Sequence, residues 1–308
     1  MFSVIFPGQG SQIVGMGKKF YDKFDLVKNL FKEADDALNF SLSKVILEGP
    51  KEELNLTANT QPAIFLISYS IFQVIKKEFK IDLFKAKFFA GHSLGEYSAI
   101  ACAEYLDFKE TIKVLKIRGD AMQNSVPKGQ GGMVAVLGTS IENVENILKD
   151  NQNNFNAEIA NDNSEGQIVL SGKIKDLEKL SSFLKKNKIK NIKLPVSAPF
   201  HCSLMSKATE IMKEELNKLK FKEGSNPLIS NITAEEIFNA EELKNLLVKQ
   251  IENRVRWRES IINMINKGVN QFIEIGPGKV LSGLIKRINN KVEIISINSE
   301  EDESSIKI

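Results

Sequence analysis

A serine between two glycines is the clearest candidate for chemistry in this sequence. Residues Gly91–Gly95 follow the pattern G-x-S-x-G, with Ser93 at the centre. The pattern predicts an apolar strand directly before them and a helix directly after. In that context the glycines permit a sharp turn that exposes the serine hydroxyl beside the free amides of a helix start. We interpret Ser93 as a nucleophile, with an ordinary glycine-rich turn as the competing interpretation.

A serine hydroxyl needs a base to take its proton, and the chain contains two histidines, His92 and His201. Neighbouring residues on such a turn tend to point apart, so the ring of His92 is expected to miss Ser93. His201 lies in a predicted loop, and elimination favours it as the base, although a lone loop histidine is ordinarily a surface or packing residue. Cys202 and Cys102 are interpreted as buried small apolar residues.

The composition excludes several classes of protein. The chain has 308 residues, with 42 Lys and Arg against 39 Asp and Glu, and the net charge of +3 gives little support to a nucleic-acid binder. The two cysteines, Cys102 and Cys202, and the two histidines, His92 and His201, leave no Cys/His quartet for structural zinc and no disulfide framework. A hydrophobic fraction of 42% predicts a soluble globular chain with a substantial core.

The sequence carries no signal for export or membrane insertion. The apolar start at Phe2–Phe6 has no positive residues before it and is too short for a signal peptide. The longest apolar stretch, near Ala63–Ile75, falls short of the roughly 20 residues that span a bilayer. We therefore expect a cytoplasmic enzyme without a membrane partner.

Helical and strand patterns alternate along the first part of the chain, which predicts a parallel α/β sheet. Strands are predicted at Phe2–Phe6 and Lys87–Ala90, with helices at Asp25–Asn39 and Gln61–Phe79 between them. The tail after Ser299 is expected to fray. The remaining predicted elements are helices at Leu94–Glu104, Phe108–Ser125, Ser203–Leu219, Ala240–Gln250, Trp257–Lys267 and Val280–Ile288, and strands at Leu228–Asn231, Gln271–Ile275 and Val292–Ile297.

A different order of elements follows the glycine-rich segment at residues 127–132. Around a turn at residues 161–166 the patterns predict strand, helix, two strands, helix and strand, which is the ferredoxin-like βαββαβ unit. We predict an inserted small domain at residues 127–196, and a large domain formed by residues 1–126 and 197–308. The predicted elements of the insert are Met133–Gly138, Ser140–Leu148, Ala157–Ala160, Gln167–Ser171, Ile174–Lys185 and Ile189–Leu194.

Five segments together carry a resemblance to a known family. They are Phe6–Gln12, Gly91–Tyr97, Ile117–Gly119, Ala198–His201 and Glu274–Gly278, in this order and across almost the whole chain. They closely resemble segments of the malonyl-CoA:acyl carrier protein transacylases. The resemblance implies an α/β-hydrolase-like large domain with a parallel sheet and a ferredoxin-like insertion. It also implies a stand-alone S-malonyltransferase that passes a malonyl group from malonyl-CoA to a serine, and then to the phosphopantetheine thiol of holo-acyl carrier protein, for fatty acid synthesis.

The resemblance assigns roles to individual residues. Ser93 is the implied nucleophile and His201 the implied general base and acid. The backbone carbonyl of Gln250 is implied to orient the imidazole, where serine–histidine pairs usually have a carboxylate. The backbone N–H groups of Leu94 and Gln9 are the implied oxyanion hole.

Four further residues are implied to bind the acyl group. Arg118 corresponds to the arginine that holds the malonyl carboxylate, because a planar guanidinium can make two parallel hydrogen bonds to it. A salt bridge on a helix face is the ordinary alternative for Arg118. Phe200, like Leu94, fits a preference for malonyl over methylmalonyl groups, and Met122 and Asn163 match pocket positions.

The implied partners are malonyl-CoA and holo-acyl carrier protein, with no cofactor, metal or nucleic acid, and a monomer is expected. Because carrier proteins are acidic, Lys286 and Arg287 are candidates for a docking surface, although such pairs are ordinarily solvated. Arg254 stands where relatives often have proline, and Phe200 where some bacterial members have serine. A serine esterase or thioesterase that uses water as the acceptor is the alternative function.

Overall fold

Two β-sheets form the framework of the protein in a computed structural model, which describes residues 1–196 and 198–306. The larger sheet has the order β10-β9-β1-β2-β7-β8, in which all neighbours are parallel except β7 and β8. Its parallel strands confirm the predicted α/β class. The strands are β1 Phe2–Phe6, β2 Phe89–Gly91, β3 Gly131–Leu137, β4 Ala157–Ser164, β5 Gln167–Lys173, β6 Lys190–Lys193, β7 Leu228–Ile229, β8 Glu236–Ile237, β9 Gln271–Ile275 and β10 Glu293–Ile297.

Helices cover the larger sheet and supply most of the core. The strands β1 and β9 are buried along their whole length, as expected for central strands of a parallel sheet. The α-helices are α1 Lys18–Lys23, α2 Asp25–Leu38, α3 Leu42–Leu47, α4 Lys51–Leu54, α5 Thr57–Lys77, α6 Leu94–Cys102, α7 Phe108–Asn124, α8 Ile141–Asp150, α9 Ile174–Lys186, α10 Ser206–Lys218, α11 Ala240–Gln250, α12 Trp257–Asn266 and α13 Val280–Ile288; short 3₁₀ helices lie at Leu83–Lys85, Ser203–Met205 and Glu300–Ser305.

The smaller sheet has the order β4-β5-β3-β6 and is antiparallel throughout. With α8 and α9 it follows the predicted βαββαβ order, and it has its own apolar cluster that includes Val136, Ile168 and Leu180. All its strands lie inside the interval 127–196. The boundaries between the two domains remain a prediction. Ser197, where the second part of the large domain is predicted to begin, lies outside the described residues.

The buried helix α5 begins at Thr57, four residues before its predicted start. Its first turns are buried but polar, so they lack the apolar spacing that marks the rest of the helix. The hydroxyl of Thr60 donates to the carbonyl of Leu54, and Lys116 reaches Asn59 across the packed helices. In the first turns of α5, hydrogen bonds take the place of apolar contacts. A search for apolar spacing in the sequence therefore misses the start of this helix.

Several sequence expectations were wrong in detail. The strand β4 continues through Ser164, so the predicted turn at residues 161–166 shortens to its last two residues. The predicted helix from Ser203 starts with a 3₁₀ turn, and the expected frayed tail forms a 3₁₀ helix over Glu300–Ser305. The carboxylate of Asp302 accepts the backbone N–H groups of Asn298 and Ser299, which fixes this turn. The short elements α1, α3, α4 and β8 were not predicted.

The two sheets are joined along β4. The backbone N–H of Asp162 donates to Val255, and the N–H of Val255 donates to Ala160, so the segment before α12 extends the edge of β4. The Asp162 carboxylate is 1% exposed and accepts two hydrogen bonds of 3.0 Å from Nε of Arg258. This joint fixes the smaller sheet beside the end of β2 and the start of α6, where Ser93 lies.

We predict that Arg258→Met destabilises the protein by about 3 kcal/mol, because it leaves the Asp162 carboxylate buried and unpaired. The measurement is the free energy of unfolding in urea. Lys18→Met is the matched control, since Lys18 and Asp22 form an ion pair that is more than half exposed, and its loss is expected to cost below about 0.5 kcal/mol. Equal losses in the two variants would contradict a structural role for the Asp162 pair.

Candidate active site

Ser93 occupies a strained turn between β2 and α6. Its backbone has φ 54° and ψ −110°, a conformation that non-glycine residues rarely adopt. A Cβ atom at Gly95 would lie 2.3 Å from the carbonyl oxygen of Phe6, and one at Gly91 would lie 1.9 Å from the carbonyl oxygen of Gly95. The two glycines of the motif are therefore required by the close approach of three chain segments.

His201 makes a direct contact with the serine. Its Nε2 lies 2.8 Å from Ser93 Oγ, and its Nδ1 lies 2.8 Å from the backbone carbonyl of Gln250. A carbonyl oxygen can only accept, so Nδ1 carries the proton and Nε2 is left to accept the hydroxyl proton of Ser93. His201 also has a positive φ of 57°, and the carbonyl of Phe200 before it accepts from Ser171 at 2.5 Å. The smaller sheet thus helps to fix the base.

Arg118 places a positive charge beside the hydroxyl of Ser93. Its Nη2 donates to Ser93 Oγ at 3.1 Å and to Gln250 Oε1 at 2.8 Å, and its Nη1 donates to Gln61 Oε1 at 2.6 Å. The side chain is buried, and within residues 1–196 and 198–306 it forms no ion pair with a carboxylate. A Cβ atom at Gly119 would lie 2.6 Å from the carbonyl oxygen of Thr57, so this glycine lets α7 carry Arg118 close to α5.

The two backbone amides predicted to form the oxyanion hole are those of Leu94 and Gln9. Leu94 is the first residue of α6, and Gln9 lies in the loop after β1, with its side-chain amide 3.4 Å from Thr57 Oγ1. Neither backbone N–H donates to an acceptor in the part of the chain that the structure describes. The N–H of Leu94 belongs to a helix start, where the orphan donors and the helix dipole favour negative charge.

Burial and charge control the protonation of the base. Burial, together with the positive charge of Arg118, lowers the pKa of His201 to about 3. The imidazole is therefore neutral at neutral pH and able to accept a proton. A serine, a neutral base and two free amides, that of Leu94 at a helix start and that of Gln9 in a loop, can perform acyl transfer through an ester intermediate. A buried guanidinium at the serine can hold an acyl group that ends in an anion.

Residues 3–298 match the model of the acyl transferase domain family. The malonyl CoA-acyl carrier protein transacylase of Bacillus subtilis is 42% identical over 299 residues, which cover 96% of this chain and 93% of that protein. The acyl-carrier-protein S-malonyltransferase of Bartonella henselae superposes with a TM-score of 0.96 at 40% identity, covering 99% and 97% of the two chains. The chain belongs to the malonyl CoA-acyl carrier protein transacylases.

Another solved structure of this family is a malonyl-transacylase in complex with a type II PKS acyl-carrier protein. It superposes with a TM-score of 0.94 at 36% identity and covers 99% of this chain and 98% of that chain. That structure was solved with the acyl-carrier protein in its holo form. The match extends over both sheets of the present chain.

The remaining residues predicted to bind the acyl group make different contacts around the site. Met122 is one helical turn beyond Arg118, and its sulfur lies 3.8 Å from Nε2 of Gln61, which holds Arg118. Phe200 is largely buried beside His201. Asn163 contacts His92 instead of the nucleophile or base, with Oδ1 2.8 Å from Nε2. The roles of these three residues in the transacylase remain predictions.

His92 faces away from Ser93, as expected for its neighbour on the turn. Its ring packs at 5.7 Å from the ring of Trp257 and bonds Asn163. Both cysteines are buried, as predicted. Among the described residues, no group of three acidic, histidine or cysteine side chains could hold a metal ion, and no helix there has both the length and the apolar character needed to cross a membrane.

Three polar residues at the site were missed from the sequence. Gln61 supports Arg118 from α5. Glu96 directly follows the nucleophile motif, and Asn231 follows β7; both are buried. The side chain of Asn231 accepts the N–H of Ser93 at 2.7 Å and donates to the carbonyl of Gly91 at 2.7 Å, so it clamps both sides of the turn. The position of Glu96 directly after the motif was the only signal available for any of them.

We predict that the rate of Ser93 labelling by an uncharged fluorophosphonate is nearly constant from about pH 8 to about pH 5. The lowered pKa of His201 keeps the imidazole neutral over that range, whereas the ordinary histidine value of 6.5 would place a fall in rate inside it. Burial raises the pKa of Glu96 to about 7, so Glu96→Gln is measured in parallel to remove that titration. A fall centred near 6.5 in both proteins would contradict the assignment.

Proposed function

We propose that this transacylase moves the malonyl group of malonyl-CoA to Ser93, and from Ser93 to the phosphopantetheine thiol of holo-acyl carrier protein, which supplies extender units for fatty acid synthesis. The family supports this reaction. The observation that carries the assignment of the substrate is the buried charge of Arg118, which is 3.1 Å from Ser93 Oγ and lacks a carboxylate partner within the described residues. Burial of an unpaired charge is costly, so an anionic substrate is the expected partner.

In the first half-reaction, Ser93 Oγ attacks the thioester carbonyl of malonyl-CoA while His201 Nε2 takes the hydroxyl proton. The carbonyl of Gln250 stabilises the resulting imidazolium through Nδ1. The N–H groups of Leu94 and Gln9 receive the oxyanion of the tetrahedral intermediate. The C–S bond then breaks, and the coenzyme A sulfur takes the proton from His201 to leave as the thiol.

In the second half-reaction the carrier protein's thiol takes the place of coenzyme A. His201 removes the thiol proton, the sulfur attacks the malonyl ester, and the C–Oγ bond breaks with return of the proton to Ser93. Each proton and acyl transfer is assigned to a side chain of this protein or to a substrate thiol, so the proposal includes no cofactor. We further propose that the protein works in the cytoplasm as a monomer.

Transfer and hydrolysis by the same serine can be distinguished directly. The protein is incubated with malonyl-CoA, the adduct is located by mass spectrometry, and holo-acyl carrier protein is then added. The proposal expects a malonyl group on Ser93 that passes to the carrier thiol. Release of free malonate without transfer would favour a thioesterase, and an absent adduct would refute the role of Ser93.

We predict that Arg118→Ala lowers kcat/KM for malonyl-CoA by about 100-fold, and for acetyl-CoA by less than about tenfold. The malonyl carboxylate would lose its guanidinium partner, whereas the acetyl group has no carboxylate. Ser93 acylation is measured with both donors. Arg254→Ala is the control, since Arg254 pairs with Glu145 on the surface at 2.8 Å. Equal losses for malonyl and acetyl groups would overturn the proposed role of Arg118.

We predict that the double variant Lys286→Glu and Arg287→Glu raises the KM for carrier protein several-fold and weakens its dependence on salt, while the KM for malonyl-CoA changes less. Both side chains are exposed in the last turn of α13, and Arg287 also bonds Gln167 at the end of the smaller sheet. The reversed charges would repel an acidic partner. Unchanged kinetics with carrier protein would place its docking surface elsewhere.

A further inference from the structure

A buried carboxyl group lies behind the nucleophile and has no part in the reaction described above. Glu96 is 1% exposed, at the third position of α6, and forms no ion pair within the described residues. Its carboxyl oxygen Oε2 accepts hydrogen bonds from Nε2 of Gln250 at 2.6 Å and from the backbone N–H of Asn231 at 3.4 Å. A buried acid in such a place requires an explanation.

The side chain of Gln250 links this acid to the guanidinium of Arg118. Its Oε1 accepts from Arg118 Nη2 at 2.8 Å, while its Nε2 donates to Glu96 and, at 3.1 Å, to the backbone carbonyl of Ser93. An arginine can only donate, and the oxygens of Glu96 and Ser93 accept, so one orientation of the amide satisfies all of these groups. A flipped amide would turn its N–H groups toward the guanidinium.

We propose that Glu96 is a positioning residue for the carboxylate anchor: acting through the Gln250 amide, it holds the guanidinium of Arg118 against Ser93. This inference rests on the proposed function. The backbone carbonyl of Gln250 orients His201, and its side chain orients Arg118 through an amide that Glu96, at 2.6 Å, and the backbone carbonyl of Ser93, at 3.1 Å, hold in place. One residue thereby couples the base to the group that selects an anionic acyl chain.

A purely structural role for Glu96 predicts a different result. Its bond to Asn231 also connects it to the turn, because Asn231 clamps Ser93 and Gly91. Loss of that support would slow acylation of Ser93 by every donor to the same extent. Loss of the Arg118 position would affect the donor with a carboxylate more strongly. The ratio of the two rates therefore separates the two roles.

The test compares Glu96→Met with Glu96→Gln. Methionine removes the acceptor at similar length, whereas the amide oxygen of glutamine can still accept from Gln250 and Asn231 at the Oε2 position. We expect Glu96→Met to lower the malonyl-to-acetyl ratio of kcat/KM by about tenfold or more, mainly through KM for malonyl-CoA, which corresponds to the loss of one charge-assisted hydrogen bond. Glu96→Gln is expected to restore the ratio to within about threefold of the unmodified protein.

Two results would overturn the proposal: parallel losses for both donors in Glu96→Met, or a loss in Glu96→Gln as large as in Glu96→Met. If Glu96→Met fails to fold, Gln250→Met breaks the same link at its centre and must lower the same ratio. The unmodified protein is assayed beside the variants. Its failure to acylate with malonyl-CoA would refute the proposed function, whereas normal acylation with an unchanged ratio in the variants would refute only the role of Glu96.

Discussion

A positive charge is held in the interior of this protein without a direct salt bridge to a carboxylate among the described residues. Arg118 is 1% exposed, and its guanidinium donates hydrogen bonds to the neutral oxygens of Gln61, Gln250 and Ser93. It also lies over the ring of Tyr97, 5.4 Å from the ring centroid. Removing such a charge from water costs several kcal/mol, and neutral acceptors recover part of that cost. A bound anion would recover more, which connects the stability of the site to the nature of its substrate.

The same charge also acts on the base. It is one of the causes of the lowered pKa of His201, after burial. A substrate carboxylate at Arg118 would offset that positive charge, and the imidazole would become more basic when a malonyl group is bound. An acetyl group would not produce this change. In the proposed reaction Arg118 would therefore contribute to selectivity twice, through direct contact with the malonyl carboxylate and through the proton affinity of His201.

Local patterns in the sequence were sufficient for much of the fold and for the central pair. The bounds of α11, β9 and α13 were predicted to the residue, because their apolar spacing and flanking residues mark both ends. The motif indicated Ser93, and the scarcity of histidine indicated His201. The resemblance to a family supplied Arg118 and the backbone carbonyl of Gln250, which composition and spacing could not select.

The parts that were missed depend on contacts between distant segments. The start of α5 is buried with polar side chains, so its burial is not visible as an apolar pattern. The contacts of Gln250 with Glu96 and of Asn231 with Ser93 join residues that are 154 and 138 positions apart. Polar residues of these types are ordinarily exposed, and only the assembled fold shows that they are buried and paired.

The most direct test of the proposed roles of Ser93 and Arg118 is a crystal structure of the protein after reaction with malonyl-CoA. We predict a malonyl ester on Ser93 Oγ, with its carboxylate oxygens about 3 Å from the Nη atoms of Arg118 and its ester carbonyl facing the N–H groups of Leu94 and Gln9. A malonyl carboxylate that points away from Arg118, or an adduct on another residue, would contradict it.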